Sequence, residues 1–228
     1  MIRVASVNAR RGLRMRERLA GLDGWVRRWQ PQILFVQEAV HAGEPPPGVG
    51  ALRLLGGTSG SACYGTVHGE AAPVDAEGRL VRVEADGLIA VGCYFPHEGS
   101  AARRRLFNLL PGFASGADVL CGDFNMAPRE QDGMFGDVPS KWTGPAERRA
   151  WAAMLAALDL VDATAADPPE PTFIQQRKAA SIRFRCDLAL VKRGTGWQVQ
   201  VDHDTRRGPT AFTDHSGLIM DLSKRGAA

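Results

Sequence analysis

The sequence predicts an α/β fold of two packed β-sheets with helices on the outside. Many short apolar runs of strand length are spread along the chain, and a few longer stretches keep helical spacing between them. Some neighbouring strand candidates are joined through those helices, and others by tight turns rich in Gly or by Asp/Glu-Gly pairs. With 228 residues the chain is long enough to bury one sizeable core, so residues 1–228 are expected to form one domain, with a flexible tail from about 223.

Residues 2 to 7 alternate as a strand does, and from Met15 the apolar Leu19, Leu22, Val26 and Trp29 recur at helical spacing before Pro31. Ile33-Leu34-Phe35-Val36 is short and apolar, a buried strand that delivers Gln37 and Glu38 at its carboxyl end. After the Pro-Pro-Pro-Gly turn region within 41 to 50, the stretches 51 to 55, 61 to 68, 79 to 85 and 88 to 95 read as successive strands. Residues 100 to 110 suit a helix, and Val119-Leu120-Cys121 is a buried strand running into Gly122-Asp123-Phe124-Asn125. From Pro145 to Leu160 the positions Trp151, Met154, Leu155 and Leu158 keep helical spacing, and 184 to 191, 197 to 203 and 217 to 222 read as strands.

Apolar and charged fractions near globular averages exclude fibrous, collagenous and disordered classes. The net charge of +3 is carried almost entirely by arginine and leans only weakly toward an anionic partner. Residues 1 to 8 lack the apolar region of a signal peptide, and no stretch reaches the roughly 18 apolar residues of a membrane span, so a cytoplasmic location without membrane contact is expected. Cys63, Cys93, Cys121 and Cys186 form no C-x-x-C pair and read as buried free thiols.

Several strand candidates end in polar residues that a core would not hold: Asn8, Glu38, Tyr94, Asp123 with Asn125, Asp187, and Asp214 with His215. If these tips converge, they make one acidic cleft without thiolate ligands, suited to a hard cation such as Mg²⁺ or Mn²⁺. Phosphodiester hydrolysis needs that ion, an oriented water and donors for developing charge, which Asp123, Asn125 and His215 are able to supply. Taken singly, each piece has a plainer reading. Gly-Asp-Phe-Asn suits a turn whose Asp and Asn bond their own backbone, Glu38 a solvated strand end, and Asp214-His215 a cap with a surface imidazole.

Order and spacing favour the joint reading. Ser6-Val7-Asn8, Ile33 to Glu38, Glu77-Gly78-Arg79, Tyr94-Phe95-Pro96, Gly122 to Pro128, Leu160-Val161-Asp162-Ala163, Arg185-Cys186-Asp187-Leu188 and Thr213-Asp214-His215 occur in one order over nearly the whole chain. Together they resemble the endonuclease/exonuclease/phosphatase superfamily. The stretch from Pro145 to Ala163, where Glu147-Arg148-Arg149 enters a helix ending in Leu-Val-Asp-Ala, resembles its exonuclease III and abasic-site endonuclease branch.

The resemblance implies a four-layered αββα sandwich of two mixed β-sheets flanked by helices. It implies a Mg²⁺ or Mn²⁺ ion at Glu38 with Asn8 and Asp214 near it, and Asp123 acting on the attacking water. It places His215, held by Asp187, before the scissile phosphate, and has Asn125 and Tyr94 stabilise the charge that develops there. Phe173, Phe184 and Cys186 match an apolar sugar pocket, and His97 and Arg10 are added as substrate contacts. The chain departs from the family pattern at Arg10, where relatives carry Asp or Asn, at Val40, where Lys is common, and at His97, where Asn or Gln is usual. Arg10 speaks against a second metal position beside it.

The expected activity is metal-dependent DNA phosphodiester hydrolysis, as a 3′-to-5′ exonuclease, an abasic-site endonuclease or both, in DNA repair, by a monomer. One rival is a superfamily phosphatase or phosphodiesterase acting on a small molecule, a lipid headgroup or RNA, favoured by the modest charge and the short segment 39 to 60. The other is a catalytically silent binding module, which would have lost one of Glu38, Asp123, Asp187 or His215.

Overall fold

The fold is that of a computed structural model, which describes residues 1–69, 71–73, 78–177 and 180–223. Glu77 of the Glu-Gly-Arg element, Lys178 and the tail beyond 223 lie outside the described residues. The chain opens with β1 (Ile2–Asn8), crosses over through α1 (Arg16–Trp29) and returns as β2 (Ile33–Gln37), parallel to β1. Helix α1 stops because Gln30 takes a left-handed backbone and Pro31 cannot continue the ladder. Beside β1 lie β16 (Gly217–Leu222) and then β15 (Trp197–Asp202); beside β2 lie β4 (Ser61–Gly65) and then β3 (Arg53–Gly57).

A second six-stranded sheet has the order β11 (Leu160–Asp162), β14 (Asp187–Lys192), β8 (Val119–Asp123), β7 (Leu88–Tyr94), β6 (Leu80–Ala85), β5 (Ala71–Pro73). Strands β7 and β8 are parallel and joined through α2 (Ser100–Phe113), repeating the β1–α1–β2 arrangement. One core lies between the sheets, where Val4, Phe35 and Met220 of the first meet Val81, Cys121 and Ala189 of the second. A second packs Phe107 and Leu110 of α2, with Trp151 and Met154 of α3 (Pro145–Leu158), on Leu120 and Leu190. A third packs Leu22, Trp25 and Val26 of α1 on Leu34 and Val36. The layers are therefore helix, sheet, sheet, helix, the expected four-layered sandwich.

Three features depart from the sequence reading. A third sheet of four strands, in the order β10 (Val138–Pro139), β9 (Gly133–Phe135), β13 (Ser181–Phe184), β12 (Phe173–Gln176), was not foreseen. Its strands are too short to show a period, and β9 meets β13 only across a long sequence gap. The run 184 to 191 is not one strand, because Arg185 and Cys186 separate β13 in the small sheet from β14 in the large one. Helix α3 ends at Leu158 and not at Leu160, because Asp159 turns left-handed and the next residues join the sheet as β11.

A run of three arginines such as Arg103-Arg104-Arg105 suits a solvated helix face, yet Arg103 is fully buried while Arg104 and Arg105 are exposed. It pairs with Glu147 of α3, also buried, and donates to the carbonyls of Pro96 and Trp142, each at 3.3 Å. Loss of one partner of such a pair costs roughly 3–5 kcal/mol, because the other charge stays buried and uncompensated.

Gly122 sets how closely β8 approaches β7 one residue before Asp123. Its φ is 143°, and a Cβ there would lie 2.0 Å from the Cys93 carbonyl oxygen. Gly122→Ala is expected to lower unfolding free energy by at least about 2 kcal/mol, as forced backbone strain and overpacking do. Denaturant unfolding checks this, and unchanged stability would contradict the tight strand approach.

Candidate active site

The strand pairings bring the polar tips to one end of the sandwich. Asn8 is in register with Gln37 in the parallel pair β1–β2, so Asn8 and Glu38 leave their strands side by side. Tyr94 is in register with Asp123 in the parallel pair β7–β8. Asp187 begins β14 opposite Asp123, and Asp214 and His215 lead into β16, which runs antiparallel to β1. Carboxyl ends of four strands thus meet amino ends of two.

Asn8 is buried, and its Nδ2 donates to Glu38 Oε1 at 3.1 Å and to Asp123 Oδ2 at 3.0 Å. Its Oδ1 accepts from the Arg10 amide at 2.8 Å. Asp123 Oδ1 accepts from the Asn125 amide at 2.8 Å, so the local turn read from Gly-Asp-Phe-Asn does form, within the cluster rather than in place of it. Asn125 Nδ2 donates to the Phe95 carbonyl at 2.8 Å and to Asp123 Oδ2 at 3.2 Å. His215 Nδ1 lies 3.1 and 3.0 Å from the two Asp187 oxygens, which leaves Nε2 as its uncommitted nitrogen among the described residues. The Asp187 amide donates in turn to Thr172 Oγ1 at 3.0 Å, as does Cys186 at 3.1 Å.

Four residues here, Arg10, Arg11, Glu38 and Asn125, hold a left-handed backbone with φ between 46° and 55°. That conformation costs an L-residue roughly 1–2 kcal/mol and gathers where function fixes geometry. Arg10 Nη1 pairs with Asp214 Oδ2 at 2.9 Å, and Arg11 Nε with Glu38 Oε2 at 3.2 Å.

Burial, and then the neighbouring Asp187 charge, push the Asp123 carboxyl up to about 7, against the pull of His215. Burial acts against a charged His215, but the Asp187 carboxylate outweighs it, with help from Asp123 and Asp214, and raises the imidazole to about 10. Tyr94 is driven up by burial and then by Glu38 and Asp123, so its hydroxyl stays a donor.

A cavity of about 440 Å³ opens beside His215 and Asn125. Phe173, Phe184, Cys186 and His97 all line it. Phe173 and Phe184 are a cross-strand pair of the small sheet, and the Phe173 ring lies 4.9 Å from the His215 ring. Two wall residues, Phe135 and Trp142, escaped the sequence reading because each is a lone aromatic in a short, aperiodic segment. Trp142 Nε1 donates to the Asn125 carbonyl at 3.1 Å, and Arg103 lies over its ring. Arg10 does not line this cavity; Arg11, Glu38, Tyr94 and His97 border a second one, which shares His97 with the first.

Two groups of side chains are candidates to hold a cation. Ligand atoms of Cys186, Asp187 and His215 lie within 4.8 Å of one another. That group suits a metal poorly, because burial and the nearby Asp187 and Asp123 charges hold the Cys186 thiol protonated, while His215 Nδ1 is committed to Asp187. Glu38 and Asp214 offer oxygens only, and Asp214 Oδ1 is buried without a partner among the described residues. An orphaned carboxylate oxygen fits a hard divalent ion.

No protein-family model matches the chain, and no curated protein sequence does. Solved structures do. An AP endonuclease from Archaeoglobus fulgidus superposes with a TM-score of 0.77 at 20% identity, over 98% of this chain and 100% of that one. The 3′ phosphatase NExo from Neisseria, bound to a product DNA hairpin, gives 0.76 at 18% identity over 98% and 100%. The 3′-5′ exonuclease NExo from Neisseria meningitidis gives 0.73 at 19% over the same shares. These proteins are of the endonuclease/exonuclease/phosphatase superfamily, and the chain has their fold.

If Asp187 is what keeps the imidazole charged, Asp187→Asn is expected to lower the His215 pKa from about 10 toward its ordinary value. An NMR titration of the ring nitrogens reads this directly, and an imidazole that still titrates near 10 in the variant would contradict it.

Proposed function

We propose that this chain is a divalent-metal-dependent DNA phosphodiesterase of exonuclease III type, acting as a 3′-to-5′ exonuclease, an abasic-site endonuclease or both. The observation that carries the reading is the meeting of Glu38, Asp123 and the Asp187–His215 pair at one end of the sandwich, beside an apolar cavity. Likeness in fold to an AP endonuclease, a 3′ phosphatase and a 3′-5′ exonuclease supports it.

Glu38 and Asp214 would hold Mg²⁺ or Mn²⁺ with Asn8 beside them, and the bound ion would supply positive charge to the phosphate. Asp123, raised to about 7, is poised to take a proton from water near neutral pH, where a general base works best. Asn8 and Asn125 fix both of its oxygens, so the carboxylate presents one orientation. His215, charged by Asp187, offers Nε2 to the phosphate. A cation that needs no reorganisation stabilises charge as it builds there. The Tyr94 hydroxyl adds a neutral donor at the same end of the sandwich, and Asn125 would add another by turning its longer Nδ2 bond, to Asp123, toward the phosphate. Phe173, Phe184 and Cys186 would receive a sugar beside His215, and His97, which lines the same cavity, would contact a flanking phosphate.

Purified protein with Mg²⁺ is expected to degrade or incise at least one of three matched duplexes, blunt, nicked or abasic, and to lose this with a chelator. Asp123→Asn and His215→Ala should each slow hydrolysis by roughly 10²–10⁴-fold while remaining folded. A duplex with a 3′-phosphate and a generic phosphomonoester complete the panel. Cleavage of the phosphomonoester alone would replace the nuclease reading with the phosphatase one.

At about 440 Å³ the cavity is roomier than a base-free sugar requires and falls in the range of drug-sized ligand sites. Abasic incision is therefore expected to be present but weakly selective over normal nucleotides. Phe184→Ala should reduce abasic cutting more than degradation of normal ends. Equal losses on the two substrates would show that Phe184 lines no sugar pocket.

A further inference from the structure

Both carboxylates proposed to hold the metal already have a cation from one short loop. Arg11 Nε meets Glu38 Oε2 at 3.2 Å, and Arg10 Nη1 meets Asp214 Oδ2 at 2.9 Å. The loop is built for this. The Arg10 amide is held by Asn8 Oδ1 at 2.8 Å and the Arg11 amide by the Glu38 carbonyl at 2.5 Å, both with left-handed backbone. Two consecutive strained arginines are not accounted for by the ion pairs alone, because half-exposed pairs add little stability. The Arg10 and Arg11 side chains are 53% and 50% exposed, whereas those of Asp214 and Glu38 are 20% and 19% exposed, so the arginines lie outward of the acids.

Resting on the assignment of Glu38 and Asp214 to the metal, we infer that Arg10 and Arg11 are internal counter-ions of the metal site. They neutralise the two carboxylates while no divalent ion is bound and are released toward substrate phosphates when one binds. An arriving ion has to displace or share the guanidiniums, so its affinity is lower than bare carboxylates would give. The freed cations then face a polyanion, so metal and DNA strengthen each other's binding. This also gives the modest net charge of the chain a local reserve of two cations at the cleft.

The test measures binding rather than turnover. Mn²⁺ is titrated calorimetrically into wild type, Glu38→Gln, and the double variant Arg10→Gln with Arg11→Gln. The double variant is expected to bind Mn²⁺ about tenfold tighter, a difference of about 1.4 kcal/mol. In an Asp123→Asn background that limits cleavage, Mn²⁺-dependent binding of a recessed duplex should lose about 1.8 from its log–log salt slope, at about 0.9 per contact. Unchanged or weaker Mn²⁺ affinity, or an unchanged salt slope, overturns the inference. Arg10→Lys with Arg11→Lys keeps the charges and should retain wild-type Mn²⁺ affinity, and tightening there overturns it too. Should the glutamine pair fail to fold, the lysine pair and each single glutamine variant, expected to tighten Mn²⁺ binding severalfold, carry the same comparison. Glu38→Gln that binds Mn²⁺ like wild type, or wild type that binds none, overturns the metal assignment itself, and the inference with it.

Discussion

The Asn8 carboxamide links the two halves of the sandwich. Its nitrogen donates to Glu38, which follows β2 in the first sheet, and to Asp123, the last residue of β8 in the second. Because Asn8 is buried, these donors have no water to fall back on, so the two carboxylates are held together by the need to satisfy one amide. Thr213 Oγ1 donates to the Asn8 carbonyl at 2.6 Å and brings the Asp214–His215 segment to the same point. Asn8 thus sets the relative placement of residues on four strands. The close approach of the sheets supports this. A Cβ at Gly92 would lie 2.3 Å from the Phe35 ring, so β7 can meet the first sheet only with glycine there.

A second anchor works through Thr172. Its hydroxyl accepts from the amides of Cys186 and Asp187, at the point where the chain leaves the small sheet and enters the large one. Phe184 is thereby directed into the cavity and Asp187 toward His215, three residues apart in sequence. The apolar wall and the charged pair share one support, which ties binding of an apolar group to the position of the imidazolium. On the opposite wall, the buried Arg103–Glu147 pair holds the Trp142 carbonyl and the Pro96 carbonyl, joining α2 and α3 to the loops that frame the cavity.

What could be read in the sequence follows from which signals are local. Buried strands such as Ile33–Gln37 and Val119–Asp123 are continuous apolar runs with a polar residue at the end, and both the strand and its tip are visible within a few residues. The polar tips needed only one further assumption, that they converge, and strand order in the sheets supplies it. The small sheet was hidden, since β9 and β10 are too short for a period and their partners lie far along the chain. Arg103 was hidden in a run of three arginines, where only its place on α2 separates it from its exposed neighbours. The ion pairs of Arg10 and Arg11 depend on two left-handed residues, and no local rule predicts that backbone for arginine.

In the proposed function Glu38 and Asp214, not the buried Cys186–Asp187–His215 group, receive the divalent ion. Anomalous diffraction from crystals soaked in Mn²⁺ tests it most directly, because it locates the ion without reference to turnover. A peak is expected within coordination distance of Glu38 and of Asp214 Oδ1, the oxygen without a partner among the described residues. A peak between Cys186, Asp187 and His215, or no peak at the strand ends, would contradict it.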